Sequence, residues 1–360
     1  MTRPPPDALL AELTYRCPLR CGYCSNPTGI VRYTPELSTE AWARVMADAG
    51  AMGVLHAHLS GGEPLLRDDL EAIVGAARGA GLYVNLITSA WGLTEARTRA
   101  LADAGVDHVQ VSVQDSDAAR ADAIAGTAAH AQKLLAAGWV TSAGMAFSVN
   151  AVLHRHNLDR VGEIIALAES LGAERLELAN TQFHGSAWEN RASLLPSRAQ
   201  LRRASEVARA AQERLRGVMD ILWVIPDWYA DLPRPCMDGW GRRFVTVAPD
   251  GTALPCPGAH GLPGMALESV RDRSLPELWE GGADFERFRG TGWMREPCAS
   301  CERREVDHGG CRCQAMALTG DPARTDPACA KSPDHDRLVS LRRESDEGEA
   351  PPVLYRITRR

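Results

Sequence analysis

Cys17, Cys21 and Cys24 form a CxxxCxxC stretch, Cys-Pro-Leu-Arg-Cys-Gly-Tyr-Cys, close behind an apolar run at 9–13. Three thiolates this close suit an iron–sulfur cluster in which one iron keeps no protein ligand. Such an open position can chelate a small molecule, by the logic that separates open catalytic metal sites from closed structural ones. A zinc knuckle is the competing use of these cysteines. Zinc asks for a fourth Cys or His close by, and none stands between Cys24 and His56.

The next stretch able to do chemistry is Ser60-Gly61-Gly62-Glu63-Pro64. Two glycines let backbone approach a ligand closely, and a carboxylate at a turn can accept hydrogen bonds from an ammonium. Taken alone, the stretch also reads as an ordinary strand-to-helix turn. Ser112, Gln114 and Asn150 stand at strand ends and could reach a bound ligand; the alternative is that loop backbone satisfies them. His56 and His58 alternate with apolar residues and read as core histidines. The other seven cysteines are Cys236, Cys256, Cys298, Cys301, Cys311, Cys313 and Cys329, with none between 25 and 235. The segment 294–331 is rich in Cys, Gly, Pro and Asp with little apolar periodicity. Metal clusters are a physical substitute for the core such a region lacks.

These residues need elements to position them. Strand-like runs occur at 9–13, 54–59, 82–88, 108–113, 145–153 and 175–178. Helical patterns lie at 38–52, 67–79, 94–104, 118–137, 158–171 and 197–215, with Gly81, Gly105, Gly138 and Gly172 expected just past helix ends. Six βα units in series predict a parallel sheet with right-handed crossovers. Six is short of a complete barrel, so the expected fold is α/β, a partial (β/α)6 TIM-like barrel with its site at the C-terminal strand ends. A doubly wound Rossmann-type sheet has the same periodicity; cysteines directly after the first strand favour the barrel. The expected division is a barrel over 1–217, a cysteine-rich extension over 218–340 with a short strand at 243–248, and a charged tail over 341–360.

With 360 residues, 45% hydrophobic and 24% charged, the composition is that of a folded globular protein. Net charge is −6 and no basic run interleaves with aromatics, which argues against a nucleic-acid partner. No apolar stretch is long enough for a signal peptide or a membrane span, so no membrane partner and a cytoplasmic location are expected. In a reducing compartment ten cysteines read as metal ligands rather than disulfides.

CxxxCxxC one βα unit before GGEP resembles the radical S-adenosylmethionine (SAM) superfamily. That resemblance implies a [4Fe-4S] cluster on Cys17, Cys21 and Cys24 whose open iron binds the amino and carboxylate groups of SAM. It further implies SAM contacts at Tyr23, Gly61, Gly62, Glu63 and Pro64, the amino group being gripped by the GGEP turn. The C-terminal cysteines resemble the SPASM extension of peptide-modifying members, which holds two auxiliary clusters. Where its pattern has a Cys after five spacer residues beyond CxxC, this chain has Asp307, and Cys313 is additional. By that analogy Cys298, Cys301, Asp307 and Cys329 hold an outer [4Fe-4S] cluster. Cys236, Cys256, Cys311 and Cys313 then hold an inner one, [2Fe-2S] or [4Fe-4S].

The runs LAELTYRCPL (from Leu10), CGYCSNP (from Cys21), SGGEPLLR (from Ser60), LYVNLITS (from Leu82), MDGWGRRF (from Met237) and FRGTGWM, EPCASCERRE and GGCRCQA (within 288–315) resemble the PqqA peptide cyclases, the PqqE family of pyrroloquinoline quinone biosynthesis. The resemblance implies a carbon–carbon crosslink between Glu and Tyr side chains of the precursor peptide PqqA, made through a 5′-deoxyadenosyl radical. It also implies the peptide chaperone PqqD and an electron donor such as flavodoxin or ferredoxin. Gln182 to Ser186, Pro257 and His308 depart from the family pattern where a substrate could approach, and the loop over 125–130 is short. Another SPASM-type peptide maturase or a sulfatase-maturating enzyme is the alternative within this chemistry. A non-catalytic zinc or iron–sulfur module is the alternative outside it.

Overall fold

A computed structural model describes residues 3–224 and 226–357. Strands and helices alternate as β1 (Ala8–Thr14), α1 (Thr39–Met52), β2 (His56–Gly61), α2 (Leu70–Gly79), β3 (Tyr83–Thr88), α3 (Glu95–Ala104) and β4 (His108–Ser112). They continue as α4 (Ala118–Ala125), α5 (His130–Ser142), β5 (Ala146–Leu153), α6 (Val161–Ser170) and β6 (Arg175–Asn180). Local chemistry sets the ends. Ser38 caps α1 by accepting from the Ala41 amide at 3.3 Å, and Gly53 closes it in the left-handed region at φ 88°. The single helix expected over 118–137 is two. Gly126 (φ 64°) ends α4, and the Asp122 carboxylate accepts the Ala129 and His130 amides at 2.8 and 2.9 Å to start α5. Gly138 therefore lies inside α5, not past its end.

After β6 come α7 (Gly185–Glu189), α8 (Arg191–Leu194), α9 (Arg198–Arg214), β7 (Asp220–Trp223), β8 (Phe244–Val247) and β9 (Ala253–Leu254). The sheet order is β7-β6-β5-β4-β3-β2-β1-β8-β9, parallel throughout except for β9. From β1 to β7 each strand pairs with the next in sequence. A doubly wound sheet would reverse its order at a switch point, and this one does not. The result is an open, singly wound barrel with seven successive strands rather than the expected six.

The expected division at 217 is not a break in the fold. β7 pairs with β6, and β8 pairs with β1 along Ala8–Phe244 to Ala11–Val247. The extension continues with α10 (Leu275–Gly281), α11 (Ala283–Glu286), α12 (Arg304–Asp307) and α13 (Arg312–Thr319). Nor is 341 the start of a tail, because α14 (His335–Glu347) runs through it and residues 351–356 fold back onto the loop after β1. One apolar cluster joins sheet and helices, including Leu9, Leu13, Trp42, Met46, Val74, Leu86 and Phe147. On β2, Ala57 and Leu59 join it, while His56 and His58 alternate with them. His58 stacks on His56 and Phe244 and lies 3.1 Å from the Asn85 amide nitrogen.

Candidate active site

The cysteine loop leaves the C-terminal end of β1 and the Gly-Gly turn leaves that of β2, side by side. The Gly62 amide donates to the Thr14 carbonyl at 2.6 Å and the Glu63 amide to the Arg16 carbonyl at 2.9 Å. A Cβ on Gly61 or Gly62 would collide with those same backbone carbonyls, and Gly61 has φ 122°. The glycines are thus required by the contact of two backbone turns as well as by any ligand. Arg67 fastens the rest of the motif, donating to the Leu13 and Leu37 carbonyls at 3.1 Å and to Asp69 at 2.8 and 2.7 Å.

A cavity of about 340 Å³ opens where these turns meet. Cys17, Cys21, Tyr23, Cys24, Gly61, Gly62, Ser112, Gln114 and Asn150 all line it. The strand-end polar residues expected from the sequence therefore converge. Glu63 and Pro64 differ from expectation. Glu63 is fully buried, and its carboxylate accepts from the Leu65 amide (3.1 Å), the Thr88 hydroxyl (2.6 Å), the Ser89 amide (2.8 Å) and the Ser89 hydroxyl. Those four bonds occupy the acceptor positions of a carboxylate. Glu63 ties the end of β3 to β2, and Pro64 is buried at the start of a 3-10 turn, so the Gly-Gly backbone is the part of the motif that faces the cavity.

Burial pushes the Cys17 thiol up to about 12 and the Cys21 thiol up to about 11, with the neighbouring cysteines adding to it. Three thiolates here are unfavourable without a cation, and an iron core supplies one. All ten cysteines are free, so the donor set fits the cluster. Sequence reasoning missed Lys133. It is 1% exposed on α5, and its ammonium donates to the Ser112 carbonyl at 2.7 Å and to Gln114 Oε1 at 2.5 Å. Gln114 Nε2 in turn donates to the Tyr23 hydroxyl at 2.9 Å. The available signal was a lysine on the apolar stripe that continues at Ala136, Ala137 and Val140.

A second cavity of about 420 Å³ is lined by Cys236, Cys256, Cys311 and Cys313. Glu177, Ala179, Asn180 and Gln182, at the end of β6, line both cavities and form the wall between them. The Cys256 and Cys313 sulfurs are 4.0 Å apart, and hydrogen bonds shared with Cys236 and Cys313 hold the Cys256 thiol well below its usual range. His184, not foreseen as a candidate, brings a ring nitrogen within 4.8 Å of the Cys311 and Cys313 sulfurs. Cys298, Cys301, Asp307 and Cys329 stand apart from this cavity. Burial raises the Cys298 and Cys329 thiols, and the charges of Asp307 and Cys301 act on both in the same direction. Asp307 is 7% exposed, accepts the Gly309 amide at 3.0 Å and lies 3.7 Å from the Arg303 guanidinium. The neighbouring His308 has its ring against Arg242 at 2.5 Å.

Residues 11–168 match the family described as Radical SAM superfamily, and residues 236–302 match an iron–sulfur cluster-binding domain, SPASM. A PqqA peptide cyclase from Methylocella silvestris is 51% identical over 355 residues, covering 98% of this chain and 95% of its own. One from Streptomyces rochei is 50% identical over 351 residues, covering 98% and 96%. Among solved structures, Streptococcus suis SuiB bound to S-adenosylmethionine has a TM-score of 0.71 at 17% identity, covering 92% of this chain and 77% of that one. Native anSMEcpe with bound AdoMet has a TM-score of 0.62 at 16% identity, covering 93% and 96%. These two share the fold. With the cysteine loop, the Gly-Gly turn and the paired cysteine groups in place, the near full-length relatives decide the family: the chain is a radical SAM enzyme and belongs to the PqqA peptide cyclases.

Proposed function

We propose that this enzyme joins the γ-carbon of a Glu to the ring of a nearby Tyr in the precursor peptide PqqA, in the cytoplasm, as a step of pyrroloquinoline quinone biosynthesis. With the [4Fe-4S] cluster reduced and SAM bound, SAM cleavage yields methionine and a 5′-deoxyadenosyl radical that removes a hydrogen atom from that carbon. The peptide then loses a second hydrogen from the Tyr ring, as a proton and an electron, so it ends lighter by two hydrogens. Cys17, Cys21 and Cys24 hold the cluster, the Gly61–Gly62 backbone with Ser112, Gln114 and Asn150 borders SAM, and Lys133 holds Gln114 in place. Cys298, Cys301, Asp307 and Cys329 hold an outer [4Fe-4S] cluster. Cys236, Cys256, Cys311 and Cys313 would hold an inner [2Fe-2S] or [4Fe-4S] cluster, which would supply an acceptor for that electron. PqqD presents the peptide, and a flavodoxin or ferredoxin delivers the initiating electron.

The observation that carries this reading is the shared wall at the end of β6. Glu177, Ala179, Asn180 and Gln182 line both the cavity of the three-cysteine loop and that of the inner cysteine group, which supports passage of an electron between the two sites. The test is turnover of reduced enzyme with SAM, PqqD and PqqA, followed by peptide mass and fragmentation. A product lighter by two hydrogens, crosslinked Glu to Tyr, is expected. A second reading, a related peptide with a different crosslink, is favoured by Gln182 on that wall and by Phe183 and His184 beside it in the second cavity, where the chain departs from the family pattern. Formation of 5′-deoxyadenosine with no change in PqqA mass would select it over the first.

A further inference from the structure

Residues 351–356, expected to be tail, form a strap across the cysteine loop. The Ser193 hydroxyl donates to the Pro351 carbonyl at 2.6 Å. Asn190 clamps the next turn: its Oδ1 accepts the Leu354 amide at 2.7 Å, while its Nδ2 donates to the Leu354 carbonyl at 2.8 Å and the Gly22 carbonyl at 3.1 Å. A Cβ on Gly22 would collide with Val353, so the glycine between Cys21 and Tyr23 is what lets the strap lie flat on the loop. Tyr355 stacks under the Arg20 guanidinium and donates to the Ala123 carbonyl. The Arg356 amide donates to the Arg20 carbonyl at 3.0 Å. The strap is thus stitched to both sides of the three-cysteine loop.

At its end Arg356 turns inward. The residue is 2% exposed, and its side chain lines the cavity with Cys17, Cys21 and Cys24. It is the one cationic side chain among the described residues lining that cavity. Its Nη2 donates to the Pro27 carbonyl at 3.0 Å, and its Nε is buried with no hydrogen-bond partner. No carboxylate lies within ion-pair distance of it among the described residues. A buried guanidinium without a counter-ion is strongly unfavourable, and the fold builds a six-residue strap to put one here.

We propose that Arg356 is a binding residue for the anionic group at the open iron, pairing its free guanidinium N–H with either the carboxylate of SAM or the cluster itself. The inference rests on the reading of this cavity as the SAM site. Arginine suits it because its fixed fork can hold one N–H on the Pro27 carbonyl and present others to an anion. The strap then couples ligand binding to closure of the loop from the opposite end of the chain.

The test uses full-length, anaerobically reconstituted wild type, R356M and R356K without peptide. SAM affinity is read from the change SAM makes in the EPR signal of the reduced cluster, and the midpoint potential of that same signal is measured without SAM. If SAM's carboxylate is the partner, R356M weakens SAM binding at least about tenfold and the SAM-free potential stays put. If the cluster is the partner, the SAM-free potential falls in R356M. R356K, which keeps the charge, recovers most of either effect. Should R356M lose iron on purification, R356K decides alone: restoration of iron and SAM binding supports the proposal, and an equally defective R356K overturns it. An R356M enzyme matching wild type in both readouts, or altered only in KM for peptide, also overturns it. Wild type that itself carries iron but binds no SAM would instead overturn the reading of the cavity.

Discussion

Lys133 offers the sharpest test of how the barrel prepares its site. Replacing it with Met removes a buried cation and two charge-assisted hydrogen bonds, to the Ser112 carbonyl and Gln114 Oε1, at 2.7 and 2.5 Å. Those bonds contribute about 1.5 kcal/mol each, so their loss costs roughly 3 kcal/mol. Burial, partly offset by the charges of Cys21, Glu63 and Cys17, lowers the ammonium from 10.5 to about 8. At pH 7 the folded chain therefore carries the cation at a cost of about 3 kcal/mol, which Met relieves. In metal-free protein the two effects nearly cancel. An iron–sulfur cluster on three thiolates is anionic and offsets the cost of the cation, so in reconstituted protein Met loses about 3 kcal/mol outright, and the cluster potential falls. The assay is thermal unfolding of both forms, with and without the cluster, under anaerobic conditions. The sign has its own check. A lysine depressed in the folded state makes metal-free wild type gain stability between pH 8 and 10, and the Met variant lacks that gain. Equal destabilisation by Met in both forms would refute the reasoning and leave Lys133 as a plain hydrogen-bond donor.

Three further outcomes follow from the same geometry. Asn190→Ala removes the clamp on the strap and should cost about 3 kcal/mol of local stability; hydrogen exchange at the Leu354 amide rises about a hundredfold, and an unchanged rate would contradict the clamp. Burial pushes the Glu12 carboxyl up to about 7, against the lowering effect of a 2.6 Å bond from the Tyr15 hydroxyl. A carboxyl raised in the folded state contributes stability below its ordinary value that is lost as pH rises through 7. Wild type should therefore lose up to about 3 kcal/mol relative to Glu12→Gln between pH 5 and 8, and parallel melting profiles would contradict this. Asp307→Ala should lower bound iron by the outer cluster's share, whereas Arg303→Met, which removes the cation 3.7 Å from that carboxylate, should leave iron unchanged. Equal loss in both would make Asp307 an ion-pair partner instead of a ligand.

The site was legible where it follows local rules. In a parallel sheet, residues toward and past the C-terminal ends of the strands meet on one face, so Cys17 after β1, Gly61 and Ser112 at the ends of β2 and β4, and Asn150 within β5 converge although they are scattered in sequence. What escaped depends on long-range closure. β7 is a four-residue strand, too short for an alternating pattern to mark, and only its pairing with β6 reveals it; the short strand expected over 243–248 is β8, but its place beside β1 was not legible. Arg356 sits in a charged stretch that has no periodicity, and its role comes from contacts with Arg20 and Pro27 more than three hundred positions away. Glu63 shows the opposite limit. Its motif pointed at a ligand, but the hydroxyls of Thr88 and Ser89 at the end of β3 take its carboxylate. Which neighbour completes a carboxylate's hydrogen bonds is a tertiary fact.

The central claim is that a radical generated at Cys17, Cys21 and Cys24 opens a Glu γ-carbon of PqqA. Peptide deuterated at that carbon, incubated with reduced enzyme, SAM and PqqD, tests it most directly. The account predicts one deuterium in the 5′-deoxyadenosine formed and a peptide lighter by one deuterium and one hydrogen. Unlabelled 5′-deoxyadenosine beside a crosslinked peptide that retains all its deuterium would contradict it.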